Sequence, residues 1–154
     1  MKFKKIILLI ICFIIIFTLS GCNSKKTINT EEFNSKVSQM GYQVVDVTNQ
    51  YTSNNNIKSA VSAKANEGYS ILFFVFDDDV SATSMFNSNK SSFESYRAKP
   101  TNENSISFVN YSSYELTSIG YYMYICRIDN TLIYVKAPDT YKENIKKLVK
   151  SIDY

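Results

Sequence analysis

The chain has few side chains that could do chemistry. Its 154 residues include no histidine and three cysteines. Without an imidazole there is no Ser-His-Asp or Cys-His nucleophile system, no histidine metal site and no ordinary general base at neutral pH. Four glycines, at positions 21, 41, 68 and 120, are too scattered for a phosphate loop, a dinucleotide loop or a nucleophile elbow. No serine precedes a lysine by three residues, so the Ser-x-x-Lys nucleophile is missing as well. Asp77-Asp78-Asp79 is the densest acidic run. Read as a calcium loop from Asp77, it would place Ala82 where glycine belongs and Ser88 where the closing glutamate belongs. These acids read instead as the end of a strand and the cap of a following helix, where negative charge is favoured. A zinc site would have to use carboxylates alone, and a glycosidase pair would need two distant acids to converge. The expectation is a non-enzymatic protein with no resident cofactor or metal.

One reaction is nevertheless written into the sequence, and the chain undergoes it. Lys2, Lys4 and Lys5 form a basic head. From Ile6 to Leu19 no charge occurs, a run long enough for the apolar core of an export signal and short of the roughly 20 residues that span a bilayer. Ser20, Gly21 and Cys22 follow. Leu19-Ser20-Gly21-Cys22 resembles the lipobox of bacterial lipoproteins, Leu-(Ala/Ser/Thr)-(Gly/Ala)-Cys, at every position. The resemblance covers residues 1–22 only. It implies a signal peptide over 1–21, cleavage between Gly21 and Cys22, and a diacylglyceryl lipid on the Cys22 thiol. A thiolate is the side-chain nucleophile suited to that transfer. Two acyl chains make a stable anchor where one gives marginal binding. The implied location is the outer, extracytoplasmic face of the cell membrane, held by lipid.

Charge and cysteine usage agree with this division. The net charge of +3 equals the three signal lysines, and the 17 basic residues less those three match the 14 acidic ones. The pI near 8.6 therefore belongs to the leader. It gives no reason to expect nucleic acid as a partner. Cys12 leaves with the signal and Cys22 is lipidated, so Cys126 stands alone and no internal disulfide can form. The domain must be held together by its core, which about 125 residues can supply.

Residues 22–29 read as the lipidated cysteine and a polar tether, and residues 30–154 as one α+β domain. Thr30 reads as a helix cap, with Glu31 and Glu32 in the first turn and Gly41 past the end, which predicts a helix over about 31–40. Tyr42–Val47 alternates and predicts a strand, and Thr48–Asn56 a loop. Residues 57–66 read equally as a strand or a weak helix. Tyr69–Phe76 is apolar on both faces, as a central strand covered on both sides would be. Ala82, Met85, Phe86, Phe93 and Tyr96 share a helical face over about 80–96. Arg97–Asn104 reads as a loop, and Ile106–Tyr111 and Tyr114–Ser118 as short strands. Tyr121–Ile128 and Thr131–Ala137 form a hairpin about Asp129-Asn130. Thr140 or Asp139 caps a last helix over about 140–152, with Ile145, Leu148, Val149 and Ile152 on its apolar face. The expected fold is an antiparallel sheet of five or six strands with helices packed on one face.

The final hairpin can be read to register. A two-residue turn pairs Cys126 with Ile133, Tyr124 with Val135 and Tyr122 with Ala137 on an uncharged core face. The other face pairs Arg127 with Leu132, Ile125 with Tyr134 and Met123 with Lys136. That second face reads either as half-covered by a helix with snorkelling cations or as an exposed aromatic binding surface. Met123, Ile125, Tyr134, Arg127 and Lys136 are accordingly the candidate binding residues. Cys126 reads as a small buried hydrophobe. The expected function is a membrane-anchored extracytoplasmic binding or interaction module for a protein or cell-wall ligand. The alternatives are an accessory subunit of a membrane complex and, less favoured, a carboxylate-based enzyme such as a hydrolase.

Overall fold

A computed structural model of the chain describes residues 24–51 and 56–154. The expected signal peptide over 1–21, the expected lipidation site Cys22 and the middle of the 48–56 loop lie outside the described residues. Seven strands form one antiparallel sheet: β1 (Gln43–Asp46), β2 (Ile57–Lys64), β3 (Ser70–Phe76), β4 (Asn102–Ser107), β5 (Tyr111–Ser118), β6 (Tyr121–Ile128) and β7 (Thr131–Pro138). Their spatial order is β1-β2-β3-β7-β6-β5-β4. Three helices complete the domain: α1 (Thr30–Gln39), α2 (Asp79–Glu94) and α3 (Lys142–Ser151). The α+β class and the antiparallel sheet are as expected. The strand count is seven because residues 57–64 take the extended form.

The helices lie on both faces of the sheet, not on one. Phe33 and Val37 of α1 and Ile145, Leu148 and Val149 of α3 share a core with Ile71, Phe73, Tyr124, Cys126, Ile133 and Val135. Ala82, Phe86 and Phe93 of α2 share a second core with Phe74, Phe76, Met123, Ile125 and Leu132. The physical reason lies in β3 and β6. Both are apolar on alternating residues of each face, so burying them needs cover from two sides. Aromatic contacts tie the layers: Phe33 stacks on Phe73 at 4.5 Å between centroids, and Phe93 lies 5.2 Å from Tyr134.

Element ends follow side-chain hydrogen bonding. The cap of α1 is Asn29, one residue before the expected Thr30, with Asn29 Oδ1 accepting from the Glu32 amide at 2.8 Å. Asp78 caps α2, accepting from the Ser81 amide at 2.6 Å. That bonding holds its carboxyl below the usual range. The expected Thr140 cap is absent: a 3₁₀ turn over Asp139–Tyr141 leads into α3 with no side-chain cap. The β6–β7 register matches the expected pairs throughout, with Asp129 at a φ of +46° in the turn. The β5–β6 turn places Ile119 and Gly120 at +47° and +77°, the positive pair of a type I′ turn.

The segment before α1 is not a free tether over its whole length. Ile28 is buried in the α1–α3 core. The Asn110 side-chain amide donates to the Lys25 carbonyl at 2.9 Å, and Lys25 Nζ lies 4.6 Å above the Tyr111 ring. An apolar residue within reach of the core and a loop asparagine facing a backbone carbonyl fix this stretch against the domain. Only residues 23 and 24 separate Cys22 from the docked Lys25.

Candidate functional site

The cover that α2 gives its face of the sheet is incomplete. α2 lies over β6 and reaches β3, β5 and β7, while the other border is a short 3₁₀ turn over Thr48–Gln50. Asp46 and Thr48 hold that turn. Asp46 Oδ1 accepts from the Thr48 amide at 2.8 Å, and the Thr48 hydroxyl accepts from the Ala60 amide at 3.0 Å. The arrangement carries Tyr51 over the sheet, its ring edge-on to Phe74 at 5.1 Å. Between Tyr51 and α2 runs a groove floored by Leu72 and Tyr134. Its middle holds about 240 Å³, walled by Tyr51, Phe74, Met85 and Asn89. It opens into a wider cleft of about 440 Å³ bordered by Gln50, Lys64, Ser70, Lys136 and Pro138.

The groove has an apolar, aromatic floor, two lysines at its wide end and no carboxylate. Lys136 Nζ sits 3.6 Å above the Tyr96 ring and 5.4 Å from that of Tyr121, a cation held against aromatic faces with no acidic partner within ion-pair distance among the described residues. Burial pushes the Tyr134 phenol up, with Tyr96 and Tyr51 adding to the effect. The phenol is therefore a neutral donor at physiological pH. Such a lining suits an apolar or aromatic group carrying a negative charge or an acceptor.

The structure divides the five expected binding residues. Tyr134 and Lys136 reach the groove. Met123 and Ile125 are fully buried beneath α2 and offer no surface. Arg127, expected to snorkel to water, is 5% exposed. Its Nη1 and Nη2 donate to the carbonyls of Asp129 and Val109 at 3.1 and 3.3 Å, and its Nε has no partner. The correction has one cause: β6 is the second strand from the centre, so both its faces are covered. Tyr51 and Leu72 were not singled out from sequence. The groove they line is a gap between two elements, and no residue pattern marks a gap.

Reactive groups lie elsewhere or are silenced. Cys126 is buried on the α1–α3 side, and burial pushes its thiol up to about 11. Four clefts formed by the described residues each hold at most one carboxylate. Glu115 is engaged by Lys146 at 3.1 Å and by the Tyr122 hydroxyl at 2.9 Å. Glu103 is engaged by Arg97 at 2.6 Å. Among the described residues, no cluster of three potential metal ligands occurs, and no helix is long and apolar enough to cross a membrane.

No protein-family model matches the chain, and no match is found among curated proteins. Among solved structures, the chain is similar to a GTP binding regulator from Thermotoga maritima, at 10% identity. The TM-score is 0.47, over 82% of this chain and 88% of that one. A likeness that distant says nothing about function.

Proposed function

We propose that this chain is a lipid-anchored, extracytoplasmic binding module without catalytic activity of its own. Cys22 carries the diacylglyceryl anchor after cleavage at Gly21, and the groove between Tyr51 and α2 takes the ligand. The observation that carries the reading is the groove's lining: Leu72, Tyr134 and Tyr51 with Lys64 and Lys136, and no carboxylate, histidine or cysteine beside them. This chemistry suits holding a ligand more than transforming it, since no carboxylate or imidazole stands by to activate a hydroxyl or an amine. The ligand class it fits is an extended peptide or wall-polymer segment that offers an apolar or aromatic group beside a negative charge.

Two measurements test the reading. Cells expressing the Cys22→Ala variant and fed labelled palmitate should yield unlabelled protein; label in that variant would refute the anchor. A photo-crosslinking residue at Leu72 should capture a partner or polymer on intact cells, and the same residue at exposed Lys58 should not. Equal capture at both positions, or none at Leu72, would refute the groove.

An accessory role in a membrane complex is favoured by a different observation. β4 is an edge strand whose six residues are all exposed, and its outer hydrogen-bonding groups face no other strand. Such an edge can accept a strand from a partner. Crosslinking from Asn104 to a second membrane protein would support this role, and recovery of the monomer alone would oppose it.

A further inference from the structure

The loop between β4 and β5 breaks the usual pattern of a polar turn. Phe108 is 63% exposed and Val109 101%, and they are two of the three most exposed large hydrophobic residues of the domain. They are adjacent, and Ile106 on the same hairpin is also exposed. Adjacent exposed apolar side chains at a loop tip, where polar residues are usual, mark a contact surface.

The loop is held rigidly. The Phe108 amide donates to the Tyr111 carbonyl at 2.6 Å, and the Phe108 and Tyr111 rings stack at 6.2 Å. The Val109 carbonyl accepts from the buried guanidinium of Arg127. A buried charge is costly, and this one has no carboxylate within ion-pair distance among the described residues. It is used to fix a loop tip that buries neither of its apolar residues.

The position of the loop names the partner. Lys25 lies on the Tyr111 ring, and its carbonyl is held by Asn110, the residue after Val109. Cys22 is three residues before Lys25, so its backbone lies within about 10 Å of it at roughly 3.5 Å per residue. A lipid on Cys22 therefore enters the bilayer beside this loop. We propose that Phe108 and Val109 form a second membrane contact, inserting among the lipid headgroups and upper acyl chains next to the anchor and fixing the domain's orientation. The proposal rests on the lipid-anchored reading above. The driving force is apolar. Lys25 and Lys26 are nearby, but so are Asp129 and Asp153, and insertion should occur in zwitterionic vesicles and resist salt.

The chain contains no tryptophan, so one can be introduced as a sole reporter. Full-length mature protein carrying Phe108→Trp or Val109→Trp would be reconstituted into phosphatidylcholine vesicles with brominated acyl chains. Tyr121→Trp, at the opposite end of β6, serves as the reference. Mass spectrometry of the same preparations reads the lipid on Cys22 and so judges the anchor separately. With lipid present, the expected result is blue-shifted emission and strong bromine quenching at 108 and 109, with neither at 121. Unshifted, unquenched emission at 108 and 109 would overturn the membrane contact and leave the anchor standing. Equal quenching at 121 would also overturn it, since the domain would then have no fixed orientation. Shielding of both tip positions from aqueous acrylamide without bromine quenching would assign the loop to a protein partner or a second copy instead.

Discussion

Thiol reactivity offers the sharpest quantitative test, because Cys126 is the domain's sole cysteine and its environment is defined. Burial pushes the thiol up to about 11. At pH 7.5 the thiolate is then about one part in 3,000, against about one in ten for an ordinary cysteine near 8.5. Ionisation alone thus slows reaction by roughly 300-fold. Access is restricted as well. Cys126 is fully buried on an interior strand, paired with Ser113 on one side and Ile133 on the other. Reagent reaches it only after an opening that costs a large part of the global stability, at least about 4 kcal/mol or some three decades in rate. The opened thiol is solvated and ionises normally, so the two factors are not multiplied, and the opening alone predicts reaction with an aromatic disulfide reagent at least about 10³-fold slower than a free thiol, with prompt release of one equivalent in denaturant. The lipidated mature protein should therefore show no fast thiol when folded and one when unfolded. A Cys126 that reacts within a hundredfold of a free thiol at pH 7.5 would refute the argument and reopen a nucleophilic role for it. Mature protein that shows a fast thiol surviving Cys126→Ser would place the free group at Cys22 and contradict lipidation.

Other perturbations follow from the same geometry. Leu148→Ala, fully buried between α3 and the sheet, should cost about 2–5 kcal/mol in urea unfolding; a loss below 1 kcal/mol would mean that α3 does not pack as described. Ile119 is a β-branched residue at a φ of +47°, so Ile119→Asn, which creates the favoured Asn-Gly turn with Gly120, should raise stability by about 1 kcal/mol, read by thermal melting. Coupling between Lys136 and Tyr96, measured by a double-mutant cycle with Lys136→Met and Tyr96→Leu, should be about 0.5–1 kcal/mol, and zero coupling would deny the cation–π contact. Asp78 has its carboxyl depressed in the fold, so its charge stabilises above the unfolded value near 3.8 and the effect is lost as pH falls through the folded value. The stability gap between wild type and Asp78→Ala should be constant from pH 7 to 5 and shrink below about 4, and a gap growing with acid would reverse the assignment.

What could be read from the sequence depended on whether a segment's partners lie nearby in the chain. The β6–β7 hairpin was legible to single-residue register because its turn, its alternation and its partner fall within eighteen residues. α3 was legible from one apolar stripe. β4 was misread, with its strand placed at 106–111, because Asn102–Ser107 is exposed throughout. An edge strand with no buried side carries no hydrophobic period and is defined by β5 beside it. The side of the sheet taken by α2 was also illegible from its own residues. The stripe through Ala82, Phe86 and Phe93 shows that the helix covers something, while the two-sided apolar character of β3 and β6 required cover on both faces. Within the candidate site, Tyr134 and Lys136 were found because they alternate along a strand. Tyr51 was missed because it sits in a polar loop and acquires its position from Asp46, Thr48 and Ala60.

The clasp of Asn110 on Lys25 sets a height. β7 starts at Thr131, at the end of the sheet nearest the clasp, and finishes at Pro138, where the groove is widest. Seven steps at about 3.4 Å make that span roughly 24 Å. On the proposed membrane contact, the clasp at Lys25 and the Phe108-Val109 tip hold this one end of the sheet at the bilayer. The groove's wide end would then be carried at most roughly 24 Å above the contact, the length of β7. The domain would become a post of bounded height whose working surface scans one layer of the space above the membrane. Lengthening the sequence before Lys25 would leave that limit unchanged for as long as the clasp and the tip both hold.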